Sequence, residues 1–347
     1  MSLVDSPGDQ SENLELLARI ERQLDVHSDN NDNRSTPSST TTISSIESTS
    51  SFSTETVRDL WTLVLDVVFA PLWLRLRAAQ LLSICCDNDS NDIVVIRLKE
   101  TYKLRAIVSS TCQAIEELDP TDATQAAQLF TWLDFLERVL LATHSNVCSH
   151  VLCSSMYAGM LTKMLRLLSA CSTKVFAATT ICLGLFHFHE KKCERLILVG
   201  EVLRDMKDGR EYLSGALLHV INSCGCPCPM ERVIHLWNAL QLFGDILADE
   251  TASELVFLND YKVLIDLIIR ECTDLPQEDI TRLHFMELLK QVMDSPLYLQ
   301  AKMYRKREVL ELLESLLQAG VEEESTMPEN VVESIKHILV RYIDLLD

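Results

Sequence analysis

The chain has 347 residues, of which 47% are hydrophobic, 24% are charged and 6% are aromatic, and its net charge is −20. This length is enough for one or two folded domains. The negative charge argues against binding to nucleic acid or to an anionic membrane, because both are bound mainly through neutralised phosphates. Glycine and proline number only 9 each, which favours helices joined by short connections.

The 12 cysteines do not predict a disulfide scaffold. The first residues lack the basic and apolar regions of a signal peptide. Several cysteines, such as Cys112 and Cys182, lie within apolar helical runs, where a thiol behaves as a small hydrophobe. We therefore expect free thiols in the reducing cytoplasm. No apolar run reaches the roughly 20 residues that span a bilayer, so no membrane insertion is expected.

The first residues predict a short amphipathic helix followed by a linker. Residues 1–27 contain the pattern ENLELLARIERQLDVH, with leucines on one side of a helix. Residues 28–56 are almost all Ser, Thr, Asn and Asp, and such a segment buries too little apolar surface to fold. We predict that it is disordered, as a plain tether or as a phosphorylated regulatory linker. The folded domain is predicted to span residues 57–347.

Helix after helix is predicted in this domain, with no strand-like alternation. The predicted helices before residue 250 cover 57–70, 72–86, 93–118, 123–143, 147–170, 174–188, 191–206, 210–223 and 230–249. Asp122 and Gln125 are spaced as a capping box. The pattern predicts an all-α fold, an armadillo- or HEAT-like α-solenoid. Its repeats are expected to be degenerate, since the sequence shows no strict period of roughly 40 residues, the length typical of such repeats.

The stretch from Leu255 to Leu317 predicts three further helices with clear stops. Asn259-Asp260 is expected to cap the first helix. Asp274-Leu275-Pro276 and Ser295-Pro296 separate the three, because proline favours a first helical position and disfavours an interior one. Thr326 and Glu329 have the spacing of a capping box that would open the last helix of the chain.

A basic run begins the third of these helices. Lys302, Arg305, Lys306 and Arg307 make it the densest positive segment of an acidic chain. It is either a solvated helix start or a patch that steers an acidic partner. We predict that these four residues, together with Arg282, bind a partner.

The string LNDYKVLIDLIIRECTDL, residues 258–275, is followed by a helix and then by a basic, leucine-rich helix. It resembles the C-terminal half of the leucine-rich domain of the WISH/DIP family, in the layout of the short fungal-type members. Five residues of this string are expected to be structural: Asn259, Asp260, Asp266, Arg270 and Glu271, with Arg270 also open to a partner role.

The resemblance implies a cytoplasmic protein of the cortical actin cytoskeleton. Members of this family bind the Arp2/3 complex, and some bind Diaphanous-type formins. The resemblance further implies that the chain activates the Arp2/3 complex without a preformed filament. Linear seed filaments would result, for instance at endocytic actin patches. No cofactor is implied.

Two clusters raise the question of a metal or an enzyme. Cys224, Cys226 and Cys228 form a C-x-C-x-C turn, which matches structural zinc sites poorly. His187 and His189 point to different sides of a helix, so we expect one to be buried and hydrogen-bonded and the other to be solvated. No catalytic motif is present. We expect no enzyme, no catalytic residue and no metal; the alternatives are a non-activating adaptor that regulates formins, or a cysteine- or zinc-dependent enzyme.

Overall fold

The computed structural model describes Glu15, Ala18 and residues 54–65, 70–88, 101–143, 151–152, 154–169, 172–206, 210–322 and 325–346. These residues form fifteen helices and contain no strand, which confirms the all-α prediction. The predicted N-terminal helix and the predicted linker lie almost wholly outside the described residues.

The first half of the described chain contains six long helices. They are α1 (Thr54–Leu65), α2 (Leu72–Asn88), α3 (Thr101–Glu117), α4 (Ala123–Ala142), α5 (Ser155–Leu167) and α6 (Thr173–Lys192). A π-helical turn, Leu198–Val202, then runs into α7 (Leu203–Asp205), and a 3₁₀ turn, Arg210–Tyr212, precedes α8 (Leu213–Ser223). The remaining helices are α9 (Val233–Ala248), α10 (Glu250–Ser253), α11 (Leu258–Asp274), α12 (Thr281–Asp294), α13 (Pro296–Gln300), α14 (Lys306–Gly320) and α15 (Glu329–Leu346).

The long helices stack in two rows. In one row α2, α4, α6, α9, α12 and α15 follow each other, each packed against the next. In the other row α3 packs on α5, and α8, α11 and α14 follow in turn, with the π-helical turn packed against α5. Each helix of one row also contacts a sequence neighbour in the other. This arrangement is an α-solenoid, in which every unit contacts only the units beside it.

The C-terminal part repeats a unit of one short and two long helices. The units are α7–α9, α10–α12 and α13–α15. Their last helices begin at Val233, Thr281 and Glu329, so the two intervals along the chain are equal. Three helices per unit is the armadillo pattern. The sequence hides this period because the positions of the helices repeat while the residue types do not.

Helix α6 shows why the apolar faces are wide. It contacts α4, α5, α8 and α9, and its buried side chains lie all around the helix, including Val175, Cys182, Leu183 and Phe186. Burying each large apolar side chain contributes about 1.5–3 kcal/mol. A helix enclosed on four sides therefore holds two neighbouring units together.

A fully buried arginine joins α2 to α3. The guanidinium of Arg75 donates to the Ala70 carbonyl at 3.1 Å, to the Ser110 hydroxyl at 2.5 Å and to the Gln113 side chain. A buried cation is tolerated only when its donors have partners. Arg75 thus fixes the start of the second row.

The structure confirms some of the predicted helix ends and corrects others. Asp122 caps α4 by accepting from the Thr124 and Gln125 N–H groups, as predicted, but the Gln125 side chain accepts from the Asp119 N–H and so does not complete the capping box. The predicted helix 191–206 is wrong at its start. Helix α6 continues through Lys192, and the chain then turns at Glu194, whose φ is +55°.

Two further ends concern the C-terminal helices. Ser295 caps α13 with its hydroxyl, and Pro296 occupies the first turn, as the proline rule predicts. The predicted box at Thr326 does not form: the Thr326 hydroxyl donates instead to the Gln277 side chain, 3.4 Å away.

Among the described helices, none is long and apolar enough to cross a membrane.

Candidate protein-interaction surface

Helix α11 carries the string that suggested the family, and its first turn differs from the prediction. The helix begins at Leu258, and no side chain caps it, so the expected Asn259-Asp260 cap is wrong. Asp260 accepts instead from the Ser214 hydroxyl of α8, 2.6 Å away. Asn259 is exposed. Asp260 is therefore structural, but it joins two helices and does not end one.

Further along the same helix, Asp266 holds the segment that follows α13. Its carboxylate accepts from the Arg305 guanidinium at 3.0 Å and from the Tyr304 hydroxyl at 3.2 Å. Two cations approach the face of the Tyr304 ring, with Lys262 and Arg305 at 5.6 Å and 5.5 Å from its centre. This contact ties α11 to a segment that lies two helices further along the chain.

That segment, residues 301–305, is a strained turn that we call the basic loop. Lys302, Met303 and Arg305 have φ values of +57°, +51° and +58°. Each non-glycine residue in this region costs about 1–2 kcal/mol. The Met303 N–H donates to the buried Tyr298 carbonyl at 2.9 Å. Strain of this kind persists only where surrounding contacts fix it, and it often marks functional segments.

The basic loop and the start of α14 expose positive charge. Lys302 and Arg307 are exposed, and the Arg307 side chain is 81% accessible. Arg305 is also engaged by Glu308 at 2.8 Å, and this hydrogen bond lowers the pKa of the Glu308 carboxyl. Lys306 is half-buried. Lys262, which the sequence did not single out, adds a cation from α11.

Arg282 does not belong to this surface. It is 2% exposed, and its guanidinium donates to the carbonyls of Leu275 at 2.6 Å, Gln277 at 3.0 Å and Cys272 at 3.4 Å. These carbonyls lie at the C-terminal end of α11, where a cation is favoured by the helix dipole. The predicted partner role of Arg282 is therefore wrong, because the side chain is fully used inside the fold.

A groove of about 440 Å³ lies between α8 and α11 beside the basic loop. Leu218 and Leu267 supply apolar lining, and Val263, which is 48% exposed, stands at the edge. Polar lining comes from His219, Asn222, Asp266 and Arg270. A concave apolar surface with a few polar groups is the usual form of a binding site.

Arg270 and Glu271 form one end of this groove. The Arg270 guanidinium donates to the Asn222 side chain of α8 at 2.9 Å and to Glu271 at 2.5 Å. Arg270 is about half exposed, whereas Glu271 is buried. Glu271 accepts this bond inside the fold, and Arg270 both contacts α8 and faces solvent.

The cysteine turn lies next to this end of the groove. Cys224 is buried, Cys228 is half-buried and Cys226 is exposed. Burial raises the pKa of Cys224 and, with a hydrogen bond to Glu271, that of Cys226, each to about 12. Such thiols stay protonated near neutral pH, unlike an activated nucleophile. Across the described residues, no group of three His, Cys, Asp or Glu side chains has the geometry of a metal site.

The two histidines of α6 also differ from the prediction. Both are buried: His187 lies 2.7 Å from Asp245, and His189 lies 2.9 Å from the Leu140 carbonyl. The expected solvation of one ring is wrong, because α6 is enclosed on all sides.

The comparisons agree with the resemblance seen in the sequence. A family model described as the SPIN90/Ldb17 leucine-rich domain matches residues 185–309. The matched range runs from within α6 to the first turn of α14, so it contains the groove and the basic loop. No curated protein sequence matches the chain at a significant level.

Proposed function

We propose that this protein is an actin-cytoskeleton regulator, because residues 185–309 match the model of the SPIN90/Ldb17 leucine-rich domain, which is the domain of the WISH/DIP proteins. It binds the Arp2/3 complex and activates it without a preformed filament, which gives linear seed filaments. The observation that carries the proposal is the family domain itself, because its range includes both the groove and the basic loop. The site of action is the cortical actin of the cytoplasm.

The stiffness of the solenoid supports an allosteric mechanism. A stack of packed helices offers an extended surface whose shape changes little on binding. It shifts a partner between two arrangements only by its difference in affinity for them. About 1.4 kcal/mol of such a difference changes the ratio of the two arrangements tenfold. The protein therefore favours the filament-like arrangement of the Arp2/3 complex by contact alone, with no nucleotide hydrolysis of its own.

The surface around α8, α11 and the basic loop is suited to this contact. The side chain of Val263, which is 48% exposed, supplies apolar contact area, and the energy of an interface concentrates in apolar positions that become desolvated. The cations of the basic loop lie at the edge, where charge speeds encounter and fixes orientation more than it adds affinity. An acidic region of the partner is the expected match.

Actin assembly with purified components tests the proposal. Pyrene-labelled actin is mixed with the Arp2/3 complex and this protein, with no preformed filaments present. We expect faster assembly and, under the microscope, linear filaments. Binding to the complex without acceleration would instead identify a non-activating adaptor, and a parallel binding assay with a Diaphanous-type formin tests that role. A protein that neither binds nor activates the complex contradicts the proposal.

A further inference from the structure

A buried cluster of charged side chains connects α6 to α9. His187 Nε2 lies 2.7 Å from Asp245 Oδ2, and Lys191 Nζ lies 2.7 Å and 3.0 Å from the two oxygens of the same carboxylate. His187 is fully buried, whereas the Lys191 side chain is about one third exposed. Asp245 therefore binds one cation inside the fold and one at its surface.

A second carboxylate faces the same histidine. Glu190 is fully buried, accepts from the Tyr157 hydroxyl of α5 at 2.7 Å, and accepts from the Leu198 N–H through both oxygens, at 3.0 Å and 3.2 Å. Its nearer oxygen lies 3.8 Å from His187 Nδ1, which has no hydrogen-bond partner. His187 is thus held between two carboxylates, and only one of them is hydrogen-bonded to it.

The cluster lies between the N-terminal helices, α1 to α6, and the first three-helix unit. Helices α5 and α6 are the last two N-terminal helices, the π-helical turn leads into α7, and α9 ends the first three-helix unit. The chain crosses from one part to the other through the left-handed residue Glu194 and the π-helical turn. π-Helical turns are uncommon and often mark functional positions. The carboxylate of Glu190 is the side chain that holds the first N–H of this turn.

The charges balance only when His187 is protonated. Two cations, His187 and Lys191, then face two carboxylates, Glu190 and Asp245. Without the proton, the buried Glu190 carboxylate loses its counter-charge, and an uncompensated buried charge is strongly destabilising. The charged groups of the other helices packed on α6 are paired elsewhere or exposed. Asp134 and Glu137 of α4 pair with Arg138 and His235, Lys163 of α5 pairs with Glu116 while Arg166 is exposed, and His219 of α8 lies against Phe176.

We propose that this cluster is a pH-sensitive joint of the solenoid. Protonated His187 keeps Glu190 in place and thereby holds the π-helical turn against α5 and α6. When the proton leaves, Glu190 draws in water, its bond to the Leu198 N–H weakens, and the two parts of the solenoid separate more easily at this turn.

The direction of the titration agrees with this geometry. Burial lowers the pKa of His187, but the hydrogen bond to Asp245 and the negative charges of Asp245 and Glu190 outweigh burial and raise it overall. A raised histidine pKa contributes stability that is complete below the unfolded value, about 6.5, and is lost as the pH rises through the folded value. His189 and His284 have lowered pKa values through burial, so they reduce stability only as the pH falls below about 6.5. The two effects occupy different pH ranges.

Hydrogen–deuterium exchange of the whole protein tests the joint. Protection factors, which correct for the intrinsic pH dependence of exchange, are followed from pH 6.5 to 8.5 in peptides covering residues 185–205. We expect protection of this segment to fall as the pH rises, by up to about tenfold for each unit by which the pKa is raised. His187→Gln should abolish this dependence. An unchanged dependence in His187→Gln overturns the proposal.

A matched control and a milder variant complete the test. His337 of α15 is exposed, so His337→Gln should leave the dependence of residues 185–205 intact. Lys191→Met removes a partly exposed cation that disfavours the second positive charge, and it should move the loss of protection to higher pH. If His187→Gln does not fold, the Lys191→Met shift decides alone: no shift, or a shift to lower pH, contradicts the joint. Because no actin or Arp2/3 complex is present, the result is independent of the proposed function.

Discussion

Two arginines, Arg282 and Arg305, lie in or next to turns beside α11, and they differ in how far their side chains are exposed to solvent. Arg282, after the turn between α11 and α12, is buried and binds three main-chain carbonyls. Arg305, in the turn between α13 and α14, stays about half exposed and binds the Asp266 carboxylate. Both brace the same helix. The comparison teaches that a positive charge in this sequence is accessible to a partner only where the fold leaves the side chain exposed.

Arg282→Met should have the largest effect on stability. It leaves the carbonyls of the buried residues Leu275 and Cys272 without the Arg282 donor, which costs about 3 kcal/mol. Denaturant unfolding measures this loss. The same substitution at exposed Arg307 should change the free energy of unfolding by less than about 0.5 kcal/mol. If both variants lose the same small amount of unfolding free energy, the burial of Arg282 does not make it more important for stability than an exposed arginine.

Arg305→Glu combined with Arg307→Glu should reduce activation of the Arp2/3 complex. We expect a loss of about tenfold in the concentration-dependent rate, equivalent to about 1.4 kcal/mol, with the helical circular-dichroism signal unchanged. Arg105 and Arg166 are exposed on α3 and α5, so changing both to Glu is a control with the same change in charge. Equal activity in the two double variants would remove the basic loop from the interface.

Ser214→Ala should weaken the contact between α8 and α11 by about 1 kcal/mol, because a hydrogen bond to a charged group contributes about that much or somewhat more. The hydroxyl of this buried serine donates to Asp260 at 2.6 Å. Denaturant unfolding is again the measurement. The hydroxyl of the exposed Ser223, on the same helix, donates to the Val220 carbonyl within its own turn, so Ser223→Ala should be neutral. A neutral Ser214→Ala would show that Asp260 does not join the helices.

Glycine substitutions in the basic loop and the turn after it should have the smallest effects, and their signs should differ. Lys302→Gly relieves a left-handed backbone and should stabilise the protein by up to about 1 kcal/mol. Lys306→Gly places glycine in the first turn of α14 and should destabilise it by up to about 1 kcal/mol. Thermal unfolding compares the two. If Lys302→Gly is destabilising, the contacts of the Lys302 side chain contribute more to the stability of this turn than relief of the left-handed backbone does.

The fold class followed from the sequence because it depends on local patterns. Helix faces and proline breaks predicted α11, α12 and α14, but not that the short helix α13 and a loop separate α12 from α14. The Asp122 cap formed as expected. Capping at Asn259-Asp260 failed because Ser214, far away in sequence, is the partner that Asp260 takes. A local rule carries no information about such a distant donor.

The candidate site was harder to predict for the same reason. The cationic character of residues 302–307 was visible, but the left-handed turn and the hold of Asp266 on Arg305 arise only when α11 and the loop meet. Similarly, the spacing of His187 and His189 shows that the two side chains point to different sides of the helix. Both are buried because four helices pack around α6, which the spacing alone does not reveal.

The equal spacing of α9, α12 and α15 along the chain has a consequence for how the molecule tolerates damage. Because each unit contacts only its neighbours, the stability of the molecule is approximately the sum of the stabilities of the units and of the interfaces between neighbours. A destabilising mutation in the last unit should leave the earlier units folded. Duplication of one unit should lengthen the solenoid without changes to the other units. The number of units in this architecture can therefore vary, whereas the number of residues from one unit to the next cannot.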